Sequence, residues 1–173
     1  MPEDATTDLS RYDPRAYRGR MTDTTKGFTL TRNVDASPEQ LWNAWTDPDE
    51  LAEWWHPRGA VTPRESVEVD MRVGGRYRYT MVESESGNEI VTGGEYLQIV
   101  PNEKLVFSWG QPDDAPKDSP FVTVTLHDGG DLTVMTFDLR GVDGMAGDNF
   151  FYDGWESALD SLVAHLGQSA VHG

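Results

Sequence analysis

The stretch ASPEQLWNAWTDPDELAEWWHP, residues 36–57, constrains the fold more than any other part of the chain. It holds two helix starts in tandem. Ser37 is a good N-cap, Pro38 takes the first helical position and Gln40 completes a capping box. Asp47, Pro48 and Glu50 repeat the signal at once. Leu41, Ala44 and Trp45 form an apolar stripe at helical spacing, and Leu51, Trp54 and Trp55 form a second one. Pro57 and Gly59 end the second helix. Two short helices, broken at Asp47-Pro48, are expected.

Strands surround this pair. Ahead of it, GFTLTRNV alternates, with Phe28, Leu30, Arg32 and Val34 on one face. After it come RESVEVDM, RYRYTMVE, EIVTGGEYLQIV, KLVFSWG, FVTVTL and LTVMTFDLR. Ser86-Gly87-Asn88, Pro101-Asn102 and the HDGGD segment supply turns between them. Gly93-Gly94 inside a strand pattern marks a bulge or a sharp bend. The chain closes on its longest amphipathic helix. There Phe151, Trp155, Ala158, Leu159, Leu162, Val163 and Leu166 recur at three and four, and Gly167 is the expected stop. Tight turns between successive strands imply an antiparallel sheet, and the terminal helix is the element available to cover one face. A curved sheet wrapped on one helix leaves space between them.

Charge and composition narrow the function. The formal net charge is -16. Five acids and five bases cancel within residues 1–26, so the rest of the chain carries all of it. Such a surface repels phosphate backbones and anionic lipid, which argues against nucleic acid and against membrane insertion. No apolar run is long enough for a transmembrane helix, and the first twenty residues lack the apolar core of a secretory signal. A cytoplasmic location is the expectation. Cysteine is absent, which removes disulfides and thiolate chemistry. The four histidines, His56, His127, His165 and His172, are scattered, so no metal and no cofactor is expected. Residues 1–25 show no period and read as a flexible extension, 26–168 as one domain, and 169–173 as a tail.

ASPEQLWNAWTDPDELAEWW, VGGRYRYTM, GGEYLQIVPNEKLVFSW and GWESALDSLVAHL together resemble the Aha-type family, domains similar to part of the activator of the heat-shock-protein-90 ATPase. That family is part of the helix-grip superfamily, with the START lipid-transfer domains and the birch-pollen allergen. The resemblance covers about residues 27–167 and implies an α+β fold. In it a curved seven-stranded antiparallel sheet grips the C-terminal helix, and two short helices lie between strands 1 and 2. It also implies a cavity that often holds an apolar small molecule. Its members include carriers, polyketide cyclases and chaperone cofactors, and fold alone does not choose among them.

Nine aromatic residues are candidates for lining such a cavity: Trp54, Trp55, Tyr77, Tyr79, Tyr96, Phe107, Trp109, Phe151 and Trp155. Each has a competing reading as plain core. Adjacent helical residues point about 100° apart, so one of Trp54 and Trp55 can enter the core while the other faces the cavity mouth. Tyr77 and Tyr79 alternate with Arg76 and Arg78, and hydrophobicity favours the tyrosines inward. Phe107 and Trp109, two apart, share a face. No catalytic residue is assigned. His56 reads as a surface histidine at a helix C-terminus, favourable with the helix dipole. Glu95 faces water if Tyr96 faces inward, and enters the cavity only if the glycine bulge changes the phase. The first expectation is a binding protein for an apolar or aromatic small molecule, lipid- or polyketide-like. A cyclase- or aromatase-like enzyme in the same cavity and a co-chaperone acting on a heat-shock ATPase are the alternatives.

Overall fold

A computed structural model describes residues 23–116, 119–142, 144–148 and 151–172, with side chains described from 25 to 166 within those spans. The extension expected at the N-terminus lies outside it up to residue 22. Strand β1 (Asp23–Val34) leads into helices α1 (Pro38–Thr46) and α2 (Pro48–Trp54). Short strands β2 (Ala60–Val61) and β3 (Glu68–Val69) follow, and then β4 (Arg76–Glu83), β5 (Glu89–Val100), β6 (Lys104–Ser108), β7 (Phe121–Asp128) and β8 (Thr133–Gly141). Helix α3 (Phe151–His172) closes the chain.

Both helix starts form as their residues dictate. The Ser37 side chain accepts from the Gln40 N–H, and the Gln40 side chain accepts from the Ser37 N–H. Asp47 serves two helices. Its N–H donates to Asn43 at the end of α1, and its carboxylate accepts from Asp49 at the start of α2. Glu50 does not reach back to that cap; its Oε1 lies 2.9 Å from His165 Nε2 and ties α2 to α3.

The sheet is antiparallel throughout, in the order β1-β8-β7-β6-β5-β4-β2, with β3 paired to β4. It has eight strands rather than seven, because the segment between α2 and β4 contributes two strands of two residues each. RESVEVDM is extended only at Glu68–Val69. Arg64–Ser66 forms a 3-10 turn instead, closed by Ser66 Oγ donating to Pro63 O at 2.6 Å and Val67 N–H donating to Arg64 O at 3.1 Å. These local bonds follow a proline and outcompete pairing. Helix α3 also runs past Gly167, to His172.

The concave face of the sheet carries the core against α1, α2 and α3. Phe28, Leu30 and Val34 are buried on β1, as alternation requires, and Arg32 on that face stays half-buried. Its guanidinium reaches Asp160 at 3.3 Å and Glu156 at 3.8 Å on α3. Among the described residues no helix is long and apolar enough to cross a membrane, and no cluster of His, Cys, Asp and Glu could hold a metal ion.

Candidate functional site

Four elements meet around one small cavity. The segment after α2 brings Trp55, His56 and Pro57, and β4 brings Tyr79 and Met81. The end of β6 brings Trp109, while α3 brings Gly154, Trp155 and Ala158. Gly154 and Ala158 are four apart, so they put the two smallest side chains of the wall on one face of α3. The cavity volume is about 30 Å³, room for about two water molecules. His56 is the one wall residue that is not fully buried, so solvent reaches the wall there.

Of the nine aromatic candidates, Trp55, Tyr79, Trp109 and Trp155 stand in this wall. The other five pack behind it. Trp54 meets Trp45 edge-on, with centroids 4.6 Å apart, and its indole donates to Ala44 O at 2.9 Å. Trp54 thus faces the core and Trp55 the cavity, an allocation the adjacent pair alone left open. Tyr77 is inward like Tyr79, but its hydroxyl donates to Ser108 O at 2.7 Å and is spent within the protein. Tyr96 and Phe107 pack on Tyr77, with ring centroids 5.5 Å away in both cases. Phe151 packs edge-on against the back of Trp109 at 5.4 Å. Burial pushes the Tyr77, Tyr79 and Tyr96 hydroxyls well above the ordinary phenol range.

Trp109 reaches the cavity because β5 and the chain after β6 come unusually close. Gly93 and Gly110 exchange both backbone hydrogen bonds, at 2.8 Å and 2.9 Å. A Cβ on Gly94 would collide with the Ser108 carbonyl, so only glycine permits this approach. The register shift of β5 falls between Tyr96 and Gln98, after Glu95 rather than before it. Glu95 therefore keeps its outward phase and meets Arg76, at 3.4 Å, on the far side of the sheet from the cavity. The Tyr79 hydroxyl lies close to the Trp109 indole and the Thr92 hydroxyl, and both ease its ionisation slightly against the burial. Neither contact reaches hydrogen-bond geometry: Trp109 Nε1 and Thr92 Oγ1 have no partner among the described residues.

His56 is more than the surface histidine its place in the sequence suggests. Burial lowers its pKa below the usual 6.5, the opposite of what a favourable helix dipole would do. Its Nδ1 lies 3.1 Å from Thr62 Oγ1, and that hydroxyl donates to Trp55 O at 2.7 Å. A hydroxyl has one proton to give. Because Thr62 gives it to the Trp55 carbonyl, the neutral ring of His56 must donate from Nδ1, which leaves the lone pair on Nε2. Nothing local in the sequence marks Thr62. The small pair Gly154 and Ala158 did leave a signal, in their spacing on the apolar face of α3.

Residues 35–167 match the family model described as Activator of Hsp90 ATPase homolog 1-like protein. The chain belongs to this family. Among solved structures, this AHSA1-like chain is similar to a Chromobacterium violaceum protein at 30% identity, covering 80% of this chain and 96% of that one, with a TM-score of 0.69. It is also similar to the AHSA1 protein of Silicibacter pomeroyi at 25% identity, covering 83% and 99%, with a TM-score of 0.67. The AHSA1-like protein of Aeromonas hydrophila, at 20% identity, covers 83% and 94% with a TM-score of 0.69 and shares the fold. No curated protein matches the chain. The helix-grip architecture expected from the resemblance is thus the family's own.

Proposed function

We propose that this protein binds an apolar or aromatic small molecule, in the cytoplasm, at the cavity between β4 and α3. The observation that carries this reading is the wall itself. Trp55, Tyr79, Trp109 and Trp155 arrive from four separate elements and leave a space beside the small side chains Gly154 and Ala158 of α3. Apolar walls with a few polar groups suit a small-molecule site. A volume of about 30 Å³ is well below the roughly 150 Å³ of an engineered cavity that holds benzene. A lipid- or polyketide-like ligand therefore enters with displacement of the Trp55 ring or of the His56-Pro57 rim.

Titration of tryptophan fluorescence with small aromatic compounds, alongside native mass spectrometry, tests the reading. Saturable binding is expected. Ala158→Val fills the space from α3 and is expected to abolish binding while the circular dichroism spectrum is retained. Undiminished binding by that variant would put the ligand elsewhere and defeat the reading.

One observation favours a second reading, a cyclase- or aromatase-like enzyme in the same cavity. His56, neutral and with a bare Nε2, is a group able to accept a proton from a bound molecule. Under this reading His56→Gln lowers turnover of a reactive ketone-bearing substrate while binding persists. Equal turnover by the variant would remove it.

A further inference from the structure

The chain between α2 and β2 forms the solvent-reached part of the cavity wall, and both of its ends are fixed. At one end the Trp55 N–H donates to Leu51 O at 2.9 Å, and the Trp55 ring packs on Tyr79. At the other end Gly59 O accepts from the Ser84 N–H at 2.9 Å, and Ala60 pairs with Glu83 on β4. His56, Pro57 and Arg58 lie between these anchors. His56 and Pro57 stand in the wall; Pro57 is buried there, while Arg58 is exposed.

Little holds these three residues to the far side of the cavity. Pro57 has no N–H to give. The His56 N–H donates back to Trp54 O at 2.8 Å, and Pro57 O accepts from the Ala60 N–H at 3.2 Å, so both bonds stay local. The His56 ring reaches Thr62 Oγ1, just after β2. Among the described residues one hydrogen bond crosses to α3: the Arg58 N–H donates to Ser157 Oγ at 2.9 Å. The Ser157 hydroxyl gives its own proton to Gly154 O at 3.0 Å, so it meets Arg58 only as an acceptor. Gly154 and Ala158, on either side of Ser157 in the chain, line the cavity, so the bond is made on the turn of α3 that forms the wall. Gly59 sits at φ +92°, with open space where a Cβ would be. Glycine takes either sign of φ readily, so the chain can swing there at little cost.

We propose that His56–Arg58 is a lid over the cavity, hinged at Gly59 and latched to α3 by the hydrogen bond from the Arg58 N–H to Ser157 Oγ. The purpose of the lid rests on the small-molecule reading above, and the lid chooses between the two ways in. Trp55 is held by its ring contact and by its backbone bond to α2. The rim beyond it is held to α3 by one bond. Breaking that bond and swinging Pro57 outward takes His56 and Pro57 out of the wall and lengthens the space toward solvent. Trp55 and Tyr79 stay behind as its floor. One neutral hydrogen bond favours closure and is still weak enough to break before binding.

Amide hydrogen exchange of the full ¹⁵N-labelled chain tests the lid without a ligand. The His56, Arg58 and Ala60 N–H groups are expected to exchange through a local opening, faster than two groups of the core. Those references are the Trp45 indole, which donates to Met135 Sδ at 3.3 Å, and the Trp54 indole on Ala44 O. Ser157→Ala removes the latch. His56 and Ala60, whose own bonds it leaves intact, should then exchange about two- to tenfold faster relative to the core references. Stopped-flow mixing with 2-naphthol reads the latch in binding. Association and dissociation should quicken by one factor in the variant, with Kd kept within about twofold. Unchanged relative exchange of His56 and Ala60 in the variant overturns the latch, and so does a change in dissociation rate alone. If the variant does not fold, the unaltered chain decides: exchange of all three groups only together with the core means that there is no lid. Exchange as expected without binding of 2-naphthol supports the lid and counts against the small-molecule reading alone.

Discussion

Trp55 stacks on Tyr79 with ring centroids 3.8 Å apart and planes 16° from parallel. This is the tightest ring contact described in the molecule, and it joins the C-cap of α2 to the second inward tyrosine of β4. Trp55→Ala is expected to cost about 3–5 kcal/mol of stability. Trp55→Phe keeps a ring on Tyr79 and should cost clearly less. Urea unfolding of the two variants, with unchanged slope, checks the order.

Gly94 is held by a close approach rather than by its dihedral angles. Its Cβ would meet the Ser108 carbonyl, which also accepts the Tyr77 hydroxyl. Gly94→Ala must separate β5 from β6 and withdraw Trp109 from the cavity. A loss of about 3 kcal/mol or more is expected, with Tyr77 released to solvent. Thermal unfolding and the near-ultraviolet circular dichroism of the aromatic cluster report both effects.

His56 predicts an acid-side dependence. Its folded pKa lies below that of the unfolded chain, near 6.5, so the unfolded state takes the proton first as pH falls. The contribution is fully present above about pH 6.5 and is lost as pH drops through the folded value. His56→Gln should show a flatter stability curve than the parent chain between about pH 7 and pH 5. The ring C–H resonance of His56 should titrate with a midpoint below 6.5.

Three buried tyrosines predict an alkaline-side dependence of opposite sign. Tyr77, Tyr79 and Tyr96 hold their protons well beyond the ordinary phenol pKa of 10.0. The unfolded chain releases them first, so their contribution is full below about pH 10 and is lost as pH rises beyond it. In an ultraviolet titration these three should ionise together with unfolding.

Much of this architecture was legible in the residues. Caps, prolines and apolar spacing act within a turn or two, so Ser37 and Asp47 mark both helices without help from the rest of the chain. Alternation is equally local, and it places Tyr77 and Tyr79 inward with Arg76 and Arg78 outward. The resemblance carried the topology. The candidate site was legible only as a set of aromatic residues. Trp55, Tyr79, Trp109 and Trp155 could not be told from Trp54, Tyr77, Tyr96, Phe107 and Phe151 by type or spacing.

By itself, then, the sequence determined the helix starts, the inward faces of the strands and the amphipathic face of α3, because each depends on backbone geometry over a few residues. Tertiary structure alone decided which indole N–H groups found an oxygen or a sulfur, where the bulge of β5 fell, and which nitrogen of His56 carries the proton. Those outcomes depend on distances between atoms from different elements, such as Trp55 on Tyr79 and Trp109 on Trp155. Such distances are set only when the sheet curves around α3 and the last few ångströms of packing are settled.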